Sequence, residues 1–175
     1  MTDESWKGDN LDADYKDFKK YLRDLGFSYL GEGSFRVAFH QEDKVIKVPI
    51  TSDGLIDNMV EARAWKKYRN RPTPGGLYLT PCRLLRNGCL MMMKVKRDEL
   101  YDRPEWAFKI DGYQVGIYKG RYVAYDYALE IPERFEWEKE WKKHSKFFNS
   151  PDWEKQTKSP QVRDYLRNMR LEKVA

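Results

Sequence analysis

Cysteine, histidine and long apolar runs are all scarce in this 175-residue chain, and each scarcity removes a class of protein. Only Cys82 and Cys89 are present, close together and with no further cysteine or nearby histidine, so no metal site is completed around them. They read as a reduced, structural pair on neighbouring strands. No stretch approaches the roughly 18 apolar residues of a membrane span, and Met1 to Asn10 lack the apolar run of a signal peptide. Internal repeats and low-complexity stretches are missing as well. The expectation is a cytoplasmic protein with no membrane partner.

What is present suits one packed domain. Hydrophobic residues make up 41% and aromatic residues 15%, enough for a core, while 35% charged residues demand a very polar surface. The length allows a single core rather than two ordinary domains, so residues 1–175 are read as one unit. The net charge of +5 comes from 33 Lys and Arg against 28 Asp and Glu, mixed along the chain. Such a balance leaves open a solvated surface or a mildly favoured acidic partner, whether nucleic acid or protein.

The periodicities predict an α+β fold. Asp14 can cap a leading helix within 11–26, whose apolar positions Phe18, Tyr21, Leu22 and Leu25 recur at helical spacing until Gly26. Phe27 to Leu30, Arg36 to His40 and Lys44 to Val48 read as an antiparallel meander, and Gly54 to Tyr68 as a helix packed on it. Leu79 to Leu85 and Cys89 to Val95 flank Asn87-Gly88, which supplies the positive φ angles of a tight hairpin. Val115 to Tyr118 and Arg121 to Tyr125 flank Lys119-Gly120 in a second hairpin. Together these predict a twisted antiparallel sheet of about five strands with one packed helix and helices at both termini. The last of those helices opens at Ser159-Pro160, with Val162, Tyr165, Leu166 and Met169 as its apolar stripe.

One constellation carries chemistry. Gly31-Glu32-Gly33-Ser34 sits between two strands, where a glycine turn can bring backbone N–H groups close to phosphate oxygens. Lys47 lies on the third strand and Glu61 on the helix that follows, so that a carboxylate can hold the lysine extended. The same residues also allow a plainer reading, in which the glycine turn is only a hairpin and Lys47–Glu61 only an ion pair orienting the helix.

This order resembles the protein-kinase family: a glycine-rich loop, a lysine in Val45-Ile46-Lys47-Val48, a helix bearing Glu61 and a hairpin ending in a hinge at Met93 to Val95. Past the hinge, Gln114-Val115-Gly116 and Asp126-Tyr127-Ala128 are similar to the segment from a metal-binding Asn to the Asp-Phe-Gly motif. The resemblance spans residues 27–129 and is most similar to short kinase-like proteins of bacteriophages. It implies a kinase N-lobe-like sheet and helix over 27–95 and a truncated C-lobe hairpin over 111–129. It further implies ATP and magnesium as cofactors. Gly31 and Gly33 would line the phosphates, Lys47 would contact them, Glu61 would orient Lys47, and Asp126 with Gln114 would hold the metal.

The departures from that pattern point away from catalysis. Arg36 stands at the third glycine of the loop, Gln114 replaces Asn, and Ala128 replaces the Gly after the Asp-aromatic pair. No His-Arg-Asp tripeptide occurs anywhere, and the stretch of about fifteen residues from Val95 to Asp111, at roughly 1.5 Å per helical residue, cannot supply both a long helix and a catalytic loop. Asp111 is a candidate stand-in base, although Asp111-Gly112 is also a common turn dipeptide. The expectation is a pseudokinase-like regulator of a host protein, with two alternatives. One is a minimal ATP-dependent phosphotransferase or nucleotidyltransferase. The other is a nucleic-acid-associated module using the tail over 132–175, where Trp137, Trp141, Phe147 and Phe148 are interleaved with Lys142, Lys143 and Lys146. Against that last alternative, Glu136, Glu138 and Glu140 share the segment, and the tryptophans could instead pack on the sheet.

Overall fold

The computed structural model describes residues 19–20, 22–85, 88–97, 103–110 and 114–144. Strands β1 (Ser28–Glu32), β2 (Arg36–Gln41) and β3 (Lys44–Pro49) lead into helix α1 (Ser52–Tyr68), and β4 (Cys82–Leu84) and β5 (Leu90–Met93) follow. All five strands form one antiparallel sheet in the order β1-β2-β3-β5-β4. A separate two-stranded sheet, β6 (Val115–Tyr118) with β7 (Arg121–Ala124), precedes helix α2 (Arg134–His144). The α+β class and the five-stranded antiparallel sheet are as expected. No helix among the described residues is long and apolar enough to cross a membrane.

The five-stranded sheet is covered on both faces, and the strands show it in their period of two. Val37 and Phe39 of β2, Ile46 and Val48 of β3 and Met91 of β5 point into one cluster, closed by Leu22, Ile50, Leu85 and Cys89. Leu90 and Met92 of β5 point the other way, into a larger cluster with Ile56, Val60, Ala64 and Tyr68 of α1, and with Val115, Ala124 and Tyr127 beyond the sheet. The apolar run Leu90 to Met92 is therefore one strand serving two cores. Each fully buried side chain of this kind contributes about 1.5–3 kcal/mol.

Helix α1 begins two residues before the expected Gly54. Thr51, with extended φ and ψ, accepts a hydrogen bond from the Gly54 N–H at 3.1 Å and so caps the helix. Gly54 itself is needed for close approach, because a Cβ there would lie 2.1 Å from the carbonyl oxygen of Phe35. The helix start is thereby pressed onto the turn between β1 and β2.

The expected strand Leu79 to Leu85 shortens to β4, and Pro81 is the reason. Before the proline, Thr80 donates to the Ala124 carbonyl at 2.9 Å, and Ala124 donates to that of Tyr78 at 2.8 Å. After it, Cys82 to Leu84 pair with β5. One segment thus ties the main sheet to the β6–β7 hairpin, and Gly116 tightens the same junction, since a Cβ there would meet Val95 Cγ2 at 2.4 Å. The predicted helix beginning at Ser159 and most of the leading helix fall outside the described residues, as do Asp111 and Asn87.

Candidate functional site

Strand β3, helix α1 and the segment after β7 converge on one carboxylate. Glu61 of α1 is fully buried. Its Oε2 accepts from Lys47 Nζ at 2.9 Å, and its Oε1 accepts from Arg36 Nη2 at 3.0 Å and from the Tyr127 N–H at 3.3 Å. The expected Lys47–Glu61 pair is present. Burial alone would raise the Glu61 carboxyl, but the two cations outweigh it and hold it at about 2. Lys47 Nζ also donates to the Tyr125 carbonyl at 2.5 Å, so the ammonium is engaged on both sides of the cleft.

Arg36 is the centre of the arrangement. Besides Glu61, its guanidinium donates to Asp126 Oδ1 at 2.6 Å and to Asn58 Oδ1 at 3.1 Å, and its Nε lies 4.0 Å from Asp57. Burial works against the charged form, yet Glu61, Asp126 and Asp57 together hold the guanidinium above its ordinary value. Asp57 in turn accepts from Arg134 of α2 at 2.7 Å. Burial is the larger influence on this carboxyl and raises it in spite of both arginines. Three cations (Lys47, Arg36, Arg134) face three carboxylates (Glu61, Asp57, Asp126), so the network is neutral within itself.

Asn58, Asp57, Tyr127 and Arg134 were not singled out from the sequence. A signal for the first two was available: Asp57-Asn58 and Glu61 interrupt a helix face otherwise read as apolar, and buried polar groups must be paired. Asn58 uses its whole amide, donating to the carbonyls of Lys47 at 3.1 Å and Gly88 at 2.8 Å while accepting from Arg36. Tyr127 is the largest fully buried side chain among the described residues. Its hydroxyl lies 3.1 Å from the Thr80 carbonyl oxygen and 3.2 Å from the Cys82 Sγ. It pins the Asp126-Tyr127-Ala128 segment against α1. Burial pushes the Cys82 thiol up to about 12, and the Cys89 thiol up as well, which leaves both as protonated core groups.

The cleft beside this network has a volume of about 550 Å³ and is lined by Gly31, Gly33, Arg36, Lys47, Gln114 and Asp126 among others. Every described candidate residue except Glu61, which lies behind Lys47, therefore meets in one place. Neither loop glycine is demanded by the fold: neither has a positive φ, a Cβ on Gly31 would meet nothing within 4 Å, and one on Gly33 would make only an ordinary contact at 3.8 Å. Asp126 gives its Oδ1 to Arg36 at 2.6 Å, so a divalent cation at that carboxylate would have a guanidinium as its neighbour. Among the described residues there is no group of three or more His, Cys, Asp or Glu placed to hold a metal ion. Trp137 of the tail is buried in the larger core, with the Arg63 guanidinium of α1 4.8 Å from its ring and 5.9 Å from that of Trp141. No family model, curated protein or solved structure matches the chain.

Proposed function

We propose that this chain is a kinase-like binding protein, of the kind that modulates a host protein, in which Arg36 occupies the position a phosphate or metal ion would need. The supporting order is a sheet with a lysine strand, a helix supplying the paired glutamate, and an Asp-aromatic segment pinned on that helix. The observation that carries the reading is the Arg36 guanidinium, shared between Glu61 and Asp126. Phosphoryl transfer draws its rate from positioned cations and metal-bound phosphates, and here the same groups already neutralise one another. The surface around the cleft suits contact with a protein: Phe35 and Leu129 both line its mouth and stay 44% and 71% exposed.

Two measurements test this. Titration with ATP and magnesium should give no saturable heat in the wild type and no transfer of the terminal phosphate to protein substrates. In cells, the effect of the protein on its host should survive Lys47→Met and Asp126→Asn, provided circular dichroism shows both variants folded. A minimal phosphotransferase or nucleotidyltransferase would require both residues. Loss of the effect in both folded variants, together with nucleotide binding by the wild type, would establish that alternative instead.

A further inference from the structure

A second cavity, of about 280 Å³, lies between the C-terminal end of α1, the Tyr78–Pro81 segment and the β6–β7 hairpin, and it shares no lining residue with the cleft. Its chemistry is the reverse of the cleft's. Trp65, Tyr78 and Tyr118 are among its walls, Arg69, Lys119 and Arg121 are its charged residues, and no carboxylate lines it. Among the described residues these three cations make no ion pair, whereas Arg36, Lys47, Arg63, Lys67 and Arg134 all do. Glu133, which binds the Tyr68 hydroxyl, is taken up by Lys67.

Arg121 is exposed, and its guanidinium lies over the Tyr78 ring at 4.3 Å from the centroid. A guanidinium over an aromatic face is held by the ring's negative face while its N–H groups stay available to a ligand. Lys119 and Gly120, both at positive φ (49° and 78°), make the two-residue turn that puts Tyr118 opposite Arg121. Lys119 itself lies 5.4 Å from the Tyr118 ring. A ligand that satisfies all of this carries negative charge at spaced points and a flat ring between them.

We propose that this cavity binds single-stranded nucleic acid. One unpaired base would lie on the Arg121–Tyr78 stack, with flanking phosphates on Arg69 and Lys119. Bases stack on arginine planes as well as on aromatic rings, and unpaired cations supply the phosphate contacts. An acidic peptide would answer the charges but leave the stacked plane without a partner, which is why the nucleic acid is preferred. The site is separate from the cleft and does not depend on the function proposed there.

The test is fluorescence anisotropy with the full chain and four labelled polyanions: a thymidine 10-mer, an abasic 10-mer, a duplex and polyglutamate. The thymidine strand should bind at least tenfold tighter than the other three. The double variant Lys119→Glu/Arg121→Glu should lose at least tenfold with an unchanged melting temperature. Its salt slope should fall by about 0.7, the value of one phosphate contact for single strands, because Lys119 is the phosphate-holding member of the pair. Arg121→Lys keeps the charge and removes the plane, so it should reduce the preference for the thymidine strand over the abasic one while retaining most phosphate binding. Equal affinity for the abasic strand or polyglutamate, absence of binding, or an unaffected folded double variant would each overturn the proposal. The last result would place binding elsewhere, for instance on the basic tail.

Discussion

Two cavities among the described residues sit along one helix and treat charge in opposite ways. Around the middle of α1, Asp57 and Glu61, together with Asp126, are locked with Lys47, Arg36 and Arg134 into a largely buried, self-neutral network. At its C-terminal end, Arg69 faces Lys119 and Arg121 across an aromatic pocket with no acidic partner. Buried charges must be paired within the chain because water is not there to solvate them, so the charges at the head of the first cavity are committed to one another. Exposed cations are solvated without a partner, so the second can wait for one. A cavity's size is a poor guide here. The larger of the two is the one in which Arg36, Lys47, Asp57 and Asp126 are already paired.

The strongest way to break this contrast is to remove the carboxylate at its centre. Glu61→Ala strands Lys47 and Arg36 in a buried setting, and the expected loss is about 3–5 kcal/mol in urea unfolding. Arg121→Glu at the second cavity alters an exposed side chain and should stay within about 0.5 kcal/mol. Similar costs at the two sites would erase the distinction.

Acid offers a milder probe of the same carboxylate. The folded Glu61 carboxyl is held at about 2 against an ordinary 4.5, so the stability it contributes is fully present above pH 4.5 and is lost as pH falls through about 2. A difference of that size corresponds to about 3 kcal/mol at most. Asp57 acts with the opposite sign: its carboxyl is raised by burial, so its ionisation costs stability at neutral pH and acid relieves that cost. The net acid destabilisation is therefore smaller than Glu61 alone would give. Melting temperatures between pH 5 and pH 2.5 should fall in the wild type and fall less in Glu61→Gln, measured relative to each protein's value at pH 7.

Much of this arrangement was legible before the fold, and the reasons differ by element. Strand β2 alternates cleanly, and the Val115–Tyr118 strand was bounded correctly because Lys119-Gly120 punctuates it. Leu79 to Leu85 read as one strand because apolar residues look alike whichever sheet they join. Only Pro81, which lacks an N–H, marks where the segment changes partner. Lys47 and Glu61 could be paired from their places on adjacent elements. The four-way engagement of Arg36 could not, since Asp126 lies 90 positions away and no local pattern links them. The second cavity was invisible for the same reason: Arg69 and Arg121 are far apart in the chain, and each alone reads as a solvated surface cation.

Backbone packing at the cleft gives a smaller and more selective effect. Gly54→Ala would put a methyl group 2.1 Å from the Phe35 carbonyl oxygen, so α1 must retreat from the β1–β2 turn. Overpacking of this kind costs typically about 1–3 kcal/mol. Because Arg36 adjoins that turn, the variant should also expose the network to solvent, visible as faster amide exchange at Tyr127, whose N–H donates to Glu61. Binding at the second cavity should be unaffected, which sharpens the separation of the two.

The smallest expected effect is the most informative about the cleft. Glycine in a phosphate-binding turn is needed so that backbone N–H groups can approach the ligand, even where the empty fold would tolerate a side chain. Gly31 and Gly33 meet that second condition, since a Cβ on either makes no close contact. Alanine at each position should therefore leave stability unchanged or raise it by up to about 1 kcal/mol through a less flexible unfolded chain. If the cleft holds only Arg36, Gly31→Ala and Gly33→Ala should also leave the effect on the host protein unchanged. If phosphates enter it, the same variants should impair function with the fold intact. The two readings thus diverge on a pair of substitutions whose effect on stability is expected to be close to nothing. Assaying them beside Glu61→Ala, whose loss would come from unfolding, separates a defect of the site from a defect of the scaffold.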